Sequence, residues 1–234
     1  MHAVAEHVFV ITRFYTNIYL IDTGSGLALI DTHFSPAVIG VLGKELPRHG
    51  FQLDQITHIL ITHAHFDHIG GLAALQNVVN ARTLAHRRDA GIVRGEQPVV
   101  YARRAELKGF DWLLSHFLAA TPPPARIDAE LKEGDRLDEV LPGLQLVELP
   151  GHTFGQIGFW WQEKRLLIGG DVMMHLPWGL TMPTRAASPD WAATKASIHK
   201  VADMNVDVLC LGHGNPIVGN AATQVQQLAQ KIGS

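Results

Sequence analysis

The sequence is poor in cysteine and in long apolar runs. One residue of the 234 is cysteine, Cys210, and it lies in the strand-like apolar run 208–211. This excludes a disulfide framework and predicts a buried, inert thiol. No apolar run reaches the roughly 20 residues of a membrane-spanning helix, and residues 1–7 lack the basic and apolar parts of a signal peptide. We therefore expect a cytoplasmic protein with no membrane partner.

A strong net charge is missing as well. The formal net charge of −3 argues against a nucleic-acid partner. The charge is uneven, because residues 82–108 hold seven basic residues against three acidic ones. This segment could recruit an anionic small-molecule substrate. A solvated helical face would explain the same residues.

Apolar runs and turn residues predict alternating strands and helices. Strands are expected at 7–12, 17–22, 27–31, 56–62, 83–85, 144–149, 156–161, 165–168 and 206–211. Gly24-Ser25-Gly26 is expected to form a hairpin turn. Helices are expected at 36–50, directly after Gly70-Gly71, at 189–203 and from 221 onward. Residues 87–124 are charged, aromatic and helical in period, and they are interpreted as a helical insertion or lid.

Histidine, by contrast, is abundant. His63, His65, Asp67 and His68 follow the apolar run 59–61, which predicts a buried strand ending in a loop. His63 and His65 are two residues apart, so in extended backbone their side chains leave the same face. Asp67 and His68 follow where the chain must bend. The pattern predicts one metal ion on the first pair and a neighbouring ion on the second.

Three further apolar runs end in a metal-capable residue beside glycine. These residues are His152, Asp171 and His213. Glycine permits tight turns and close backbone approach, and loops at strand ends commonly present reactive groups. Each segment alone is a weak signal, but together with the first motif they complete two coordination spheres. Imidazole and carboxylate ligands suit zinc, and also iron or manganese.

In this order, the seven residues resemble the metallo-β-lactamase superfamily, in particular its glyoxalase II and lactonase branch. The resemblance covers nearly the whole chain and implies one α+β domain over residues 1–234. Its expected architecture is an αββα four-layer sandwich, with two mixed β-sheets face to face and helices outside. It implies two divalent metal ions, with zinc as the first choice and iron or manganese as alternatives.

The resemblance also assigns the ligands. One metal would take His63, His65 and His152, the other would take Asp67, His68 and His213, and Asp171 would bridge them. Asp31 would support the metal loop from behind. The implied reaction is hydrolysis of an ester, thioester or lactone by a metal-bridging hydroxide, with Asp67 orienting the nucleophile and receiving its proton. An iron-dependent enzyme like the persulfide dioxygenases, or a phosphodiesterase, remains an alternative.

The resemblance has departures that bear on the substrate. True metallo-β-lactamases generally lack the bridging aspartate. Glyoxalase II-like enzymes carry an added helical region, for which the 63 residues after Asp171 are too few. Lactonases typically place a tyrosine three residues after the bridging aspartate, where this chain has Met174. A lactone therefore remains one of several possible substrates.

The substrate pocket is expected in two segments, 87–124 and 173–184. The candidates for its wall are Trp112, Phe117, Met174 and Trp178. His175 is a candidate acid or hydrogen-bond donor, because the pKa range of histidine suits that role. An ordinary loop histidine is the alternative. The apolar face of residues 110–118 is equally compatible with packing in a homo-oligomer.

Overall fold

The protein is described from a computed structural model that covers residues 1–116, 118 and 120–233. Seven strands form the first sheet in chain order: β1 His2–Ala5, β2 Val8–Arg13, β3 Thr16–Asp22, β4 Leu27–Ile30, β5 Ile56–Leu60, β6 Arg82–His86 and β7 Ala129–Leu131. Seven further strands follow: β8 Leu144–Glu148, β9 Ile157–Trp161, β10 Leu166–Ile168, β11 Met174–Leu176, β12 Gly179–Thr181, β13 Val208–Cys210 and β14 Ile217–Val218. The second sheet has the order β14-β13-β10-β9-β8, and β11 and β12 form a separate hairpin.

Helices lie on the outer faces of both sheets. The α-helices are α1 Val38–Glu45, α2 Phe66–Ile69, α3 Leu72–Leu75, α4 Arg87–Val93, α5 Gly109–Leu114, α6 Trp191–Asp203 and α7 Ala221–Ile232. Apolar side chains of α1 and α3 pack on the outer face of the first sheet, and those of α6 and α7 pack on the second. None of the helices in the described ranges is long and apolar enough to cross a bilayer.

Alternation along the strands explains how each sheet carries two buried faces. In β3, Tyr19 and Ile21 enter the core between the sheets, where they join Phe159 of the second sheet. Ile18 and Leu20 of the same strand point to the opposite face, toward the helices. Successive strand residues leave opposite faces, so a strand that is apolar throughout needs cover on both sides. The predicted αββα sandwich is confirmed.

Strand direction gathers the functional loops at one edge. β4, β5 and β6 run parallel to one another, and so do β10 and β13. β8 runs antiparallel to β9, which runs antiparallel to β10, so β8 has the direction of β10. The loops after β4 and β5 therefore leave the same edge of the first sheet, and the loops after β8, β10 and β13 leave one edge of the second.

The predicted strands are present, within a few residues at their ends, and Gly24-Ser25-Gly26 lies in the turn between β3 and β4. The predicted 36–50 helix is shorter. It runs over Val38–Glu45 and is followed by a 3-10 turn at Pro47–His49. Strands β1, β7 and β14 and the β11–β12 hairpin were not predicted, because they have two to four residues each and are defined by pairing more than by pattern.

Residues 87–124 are less helical than their sequence period indicates. Within the described part of this segment, α4 and α5 are separated by irregular chain with a 3-10 turn at Arg104–Glu106. α4 ends where Gly95 adopts a left-handed φ of +74°. Pro98 follows shortly after, and a proline cannot continue the helical hydrogen-bond ladder. The prediction of a helical segment is therefore correct for Arg87–Val93 and Gly109–Leu114 and wrong for the rest of its described residues.

Candidate metal centre

The loop after β5 carries four of the predicted ligands. His65 is in extended backbone, with φ −81° and ψ 151°, and α2 begins at the next residue. His63 and His65 lie on the same side, with ring centroids 4.9 Å apart. Asp67 and His68 lie in the first turn of α2 and are thereby turned toward a second point. The structure therefore has the two pairs in the arrangement that the spacing predicts.

His152, Asp171 and His213 come to the same place from the other sheet. His152 Nε2 lies 2.9 Å from His65 Nδ1 and 3.4 Å from Asp171 Oδ2. His213 Nε2 lies 3.1 Å from Asp171 Oδ2 and 3.1 Å from Asp67 Oδ2.

Three groups of potential ligand atoms lie within 4.8 Å of one another. They are His63, His65 and His152; His63, His68 and Asp171; and Asp67, His68 and His213. The first and third groups match the predicted ligand sets, and Asp171 lies between them.

Asp31 fixes the tautomers of two of these histidines. Its Oδ2 accepts hydrogen bonds from His68 Nδ1 at 2.8 Å and from the Thr62 hydroxyl at 2.7 Å. Because the Thr62 hydroxyl gives its proton to Asp31, its oxygen accepts from His63 Nδ1, at 3.0 Å. Both rings then carry their proton on Nδ1 and direct the Nε2 lone pair into the site. A carboxylate behind a ligand histidine commonly has this role.

Ser188 does the same for His152. The Ser188 hydroxyl donates to the Thr184 carbonyl at 2.8 Å, so it accepts from His152 Nδ1 at 3.1 Å. The Nε2 lone pair of His152 consequently faces His65. Two imidazole nitrogens that meet in this way are well placed to share a cation.

The residues fit a metal site on grounds of their own hydrogen bonding. Among the described residues, the buried Nε2 atoms of His63, His65 and His68 and the buried Oδ1 of Asp171 have no hydrogen-bond partner. A buried polar atom without a partner is costly, so nearly all such atoms are satisfied in folded proteins. Four of them in one cluster of imidazole and carboxylate groups match the donor set that binds divalent ions.

Burial keeps His63 and His65 of the first group uncharged. Burial, reinforced by the neighbouring imidazoles, holds the pKa of His63 well below its ordinary value and lowers the pKa of His65 to about 3. Neutral imidazole is the form of histidine that binds metal. His63 and His65 are therefore in their ligand state at neutral pH.

Carboxylates dominate the second group. Burial disfavours the charged form of His213, but Asp171 and then Asp67 outweigh it and raise the pKa of His213 to about 10. Burial likewise disfavours charge on the two carboxyls, yet His213 and His68 keep the pKa of both below the ordinary range. The same carboxylates raise the pKa of His68 against its burial. Asp67 and Asp171 therefore stabilise positive charge at this place, which protonated histidine carries at neutral pH and which a bound cation would supply in its stead.

The His213 loop is pinned across the sheets. Asn17 Nδ2 donates to the Leu211 carbonyl at 2.9 Å, and the Tyr19 hydroxyl donates to the same oxygen at 2.7 Å. At Gly212 an added Cβ would collide with the Asp171 carboxylate and the His68 ring. Glycine is therefore required there by close packing against the ligands, which gives a physical reason for the Gly212-His213 pair.

Asp89, in the first turn of α4, has a supporting role that the sequence analysis missed. It is 1% exposed. Its Oδ2 accepts from Ala64 N at 2.9 Å and from the Thr153 hydroxyl at 2.7 Å, and its Oδ1 accepts from Gly155 N at 2.9 Å. It therefore ties the His63–His65 loop to the loop of His152. Burial raises the pKa of Asp89. An acidic residue in a first helical turn is common, so the sequence alone gave it no special meaning.

A cavity of about 290 Å³ opens over the cluster. We call the seven predicted ligands the floor of this cavity. Five of them line it, and His63 and His68 are buried next to those five. We call the remaining lining residues the wall of the cavity. All seven have uncharged side chains: Phe66, Tyr101, Leu118, Ala120, Met174, Thr184 and Ala187. Both predicted segments, 87–124 and 173–184, contribute to the wall.

The predicted wall residues are placed unevenly. Met174 lines the cavity, whereas Trp178 is 77% exposed at the turn of the β11–β12 hairpin. Trp112 is half-exposed on α5, where it packs against His116 with ring centroids 4.7 Å apart. The prediction for these two tryptophans is wrong, because each lies on the solvent side of its element. Phe117 lies outside the described residues.

His175 does not line the cavity. It follows Met174 in β11, and consecutive strand residues point to opposite faces. Its Nδ1 instead donates to the Asn215 carbonyl at 2.7 Å. The structure therefore favours the alternative, a loop histidine held by hydrogen bonding.

Tyr101 is a wall residue that the sequence analysis missed. Its ring is stacked on His65, with centroids 5.4 Å apart and an interplanar angle of 13°. Burial and then the Asp67 charge raise the pKa of Tyr101 to about 12, so the phenol is protonated at neutral pH. It lies in irregular chain after Pro98, and no spacing rule links it to the ligands.

Comparison with known proteins gives relatives that match most of this chain at 25–30% sequence identity. "Probable metallo-hydrolase YflN" of Bacillus subtilis is 26% identical, over 98% of this chain and 92% of its own length. A hydroxyacylglutathione hydrolase of Ruegeria pomeroyi is 29% identical over 73% of this chain, but over 52% of its own length. This chain therefore matches about half of that relative.

Solved structures with the same fold cover most of this chain. The metallo-beta-lactamase family protein TTHA1429 from Thermus thermophilus superposes with a TM-score of 0.72 at 24% identity, over 98% of this chain and 79% of its own. TTHA1623 in a di-iron-bound form superposes with a TM-score of 0.62 at 26% identity, over 90% and 93%. The sequence model of the metallo-beta-lactamase superfamily matches residues 11–213. The chain belongs to the metallo-beta-lactamase superfamily.

Proposed function

We propose that this protein is a dinuclear metal-dependent hydrolase that opens an ester, thioester or lactone bond. The observation that carries the proposal is the cluster of four buried ligand atoms without hydrogen-bond partners beneath an open cavity. His63, His65 and His152 would hold one ion, Asp67, His68 and His213 the other, and Asp171 would contact both. Two bound divalent ions supply a polarised acyl oxygen and a water that loses its proton at neutral pH.

The side chains of the chain itself have separable roles in this proposal. Asp67 is partly exposed to the cavity, and its pKa is low because His68 and His213 outweigh its burial. An ionised carboxylate at that place can orient the attacking water and receive its proton. Asp31, Ser188 and Asp89 keep the ligand groups in position. The uncharged wall limits the access of bulk water to the reacting carbonyl.

The relatives support hydrolysis more than any other chemistry. One is named a probable metallo-hydrolase, and several are named hydroxyacylglutathione hydrolases. The di-iron-bound form of TTHA1623 shows that iron binds in a related structure, so an iron-dependent oxygen enzyme stays a second candidate. The metal that the protein carries is therefore the first quantity to measure.

The test is the metal content of protein purified without added metal or chelator, measured by inductively coupled plasma mass spectrometry. We expect about two zinc or manganese ions per chain, together with turnover of at least one member of a lactone, ester and thioester panel. About one iron per chain, with oxygen uptake on a persulfide and no turnover of the panel, would contradict the proposal and favour the iron enzyme.

A further inference from the structure

The wall of the cavity offers a bound substrate no positive charge. Its seven side chains are all neutral at pH 7. None of the described lysine or arginine side chains lines the cavity, and the undescribed neighbours Phe117 and Ala119 are uncharged by sequence. A carboxylate or phosphate on the acyl group, held against the wall and away from the floor, would lose water without gaining an ionic partner, which is costly.

Two arginines near the wall in sequence, Arg185 and Arg104, are engaged elsewhere, and Arg103 is exposed and does not line the cavity. Arg185 follows Thr184 of the wall, yet its guanidinium donates to the Ser188 carbonyl at 2.6 Å and to Glu106 at 3.2 Å. Arg104 donates to the Ser115 carbonyl at 3.2 Å. The positive charge of residues 82–108 is thus not directed to the cavity at these positions.

Arg94 shows the same behaviour at the end of α4. Its guanidinium pairs with Glu96 and with Glu130, both at 3.0 Å. Bidentate or doubly paired arginine is held firmly by its charge-assisted hydrogen bonds. Arg94, Arg104 and Arg185 are thus paired outside the cavity. None of the described basic side chains of residues 82–108 lines the cavity, so the wall has no side chain that would bind an anion.

Tyr101 is the main polar exception in the wall. The stack on His65 holds its ring above the first ligand group. Among the described residues, its hydroxyl has no hydrogen-bond partner, although the side chain is half-buried and lines the cavity. The other polar wall residue, Thr184, has its hydroxyl 3.9 Å from the Met174 sulfur. Tyr101 is thus a wall side chain with a fixed ring and, among the described residues, a hydroxyl that is available to a bound ligand.

We propose that the cavity selects neutral esters, lactones or thioesters with a short apolar acyl group, and that the Tyr101 hydroxyl donates a hydrogen bond to the bound substrate. The inference rests on the proposed function. Its size limit follows from the cavity volume of about 290 Å³, at the small end of ligand pockets. In the reaction, the acyl C–O or C–S bond breaks, water oxygen joins the acyl carbon, and a water proton ends on the leaving atom.

The first test compares two matched substrates on the same metal-loaded protein. p-Nitrophenyl butyrate is neutral, and p-nitrophenyl hydrogen succinate carries a carboxylate where butyrate has its methyl group. Because that carboxylate speeds the spontaneous hydrolysis of its own ester, the rate without protein is subtracted for each substrate. We expect kcat/KM for butyrate to be at least about tenfold higher, because the wall leaves the carboxylate unpaired. Equal or faster turnover of the succinate ester would overturn the selectivity for neutral acyl groups.

The second test is Tyr101→Phe, which keeps the ring that stacks on His65 and removes the hydroxyl. We expect kcat/KM for the butyrate ester to fall about 3- to 10-fold, as for the loss of one hydrogen bond, with unchanged metal content. Phe110→Ala is the control, since Phe110 lies in the same segment, is 75% exposed and does not line the cavity. Its kcat/KM should match the wild type.

The outcomes separate the two proposals. An unchanged kcat/KM in Tyr101→Phe, or a loss of metal from that variant, would overturn the donor role of Tyr101 while leaving the hydrolase intact. Failure of the wild-type protein, loaded with two metal ions, to turn over any ester, thioester or lactone would instead overturn the proposed function itself.

Discussion

The ligand loops in the floor of the cavity are held by buried hydrogen-bond acceptors, whereas the wall residues lie in short elements and irregular chain. Asp31 and Ser188 reach the floor from two loops and Asp89 from the first turn of α4, and each makes at least one hydrogen bond of 3.1 Å or less to a ligand or its loop. The wall residues Leu118 and Ala120 lie in the chain after α5, a helix of six residues. The difference indicates that the floor sets the chemistry and tolerates little change, while the wall can vary with the substrate.

Removing a ligand from the floor should have the largest effect. Asp171→Ala deletes the carboxylate between the two ligand groups, and we expect activity to fall by more than about 100-fold, beyond the range for residues that only support ligands. Metal content should fall in the same variant. Asp54→Ala, which removes an exposed carboxylate far from the site in sequence, is the control. Full activity in a metal-depleted Asp171→Ala protein would contradict the comparison.

Weakening the supports of the floor should have an intermediate effect. In Asp89→Asn, the amide nitrogen must face one of the three donors that the carboxylate now accepts, Ala64 N, the Thr153 hydroxyl or Gly155 N. One buried donor then loses its acceptor, which costs about 1–3 kcal/mol. We expect metal affinity to fall by about 10- to 100-fold, measured by competition with a chromogenic chelator.

Asp31→Asn is the matched variant on the other side of the floor. Asp31 Oδ2 accepts from His68 Nδ1 and the Thr62 hydroxyl, and its Oδ1 accepts from Thr62 N at 2.9 Å. The amide nitrogen of asparagine must replace one of these oxygens, so at least one buried donor loses its acceptor and the Thr62–His63 loop is held less firmly. A similar loss of metal affinity is expected. If either variant bound metal as tightly as the wild type, the idea that buried acceptors hold the floor would be wrong.

The same comparison explains how far the sequence could be interpreted. The floor was predictable, because metal binding demands particular residue types, and the two-residue spacing of His63 and His65 on a strand is a local property. The glycine before His213 could be interpreted similarly. The αββα sandwich was expected from the resemblance to the metallo-β-lactamase superfamily.

The wall and the supports were not predictable in this way. Tyr101 meets His65 through the packing of irregular chain, and Asp89 meets Gly155 across 66 positions of sequence. Neither contact leaves a periodic signal. The prediction that Trp112 and Trp178 line the pocket was wrong, because a large apolar residue in a loop is found in a pocket wall and in a solvent-facing turn equally well. Side-chain direction in short elements depends on pairing register, which the pattern of three or four residues does not determine.

The smallest effect is expected where the sequence placed a catalytic candidate and the structure placed a hydrogen bond. His175→Ala removes the bond to the Asn215 carbonyl. The backbone of His175 keeps its own bond from N to the His213 carbonyl, at 3.2 Å, so β11 should continue to support the His213 loop. Since the lost bond lies at an exposed position, its net worth is no more than about 1 kcal/mol. We expect kcat/KM and its pH profile to stay within about twofold of the wild type, because a side chain that does not reach the cavity contributes nothing to proton transfer there. A tenfold loss of kcat/KM with a shifted limb of the pH profile would show that His175 turns into the cavity during turnover. His175 would then have to be counted among the residues that react or contact substrate, and the contrast between floor and wall would be incomplete.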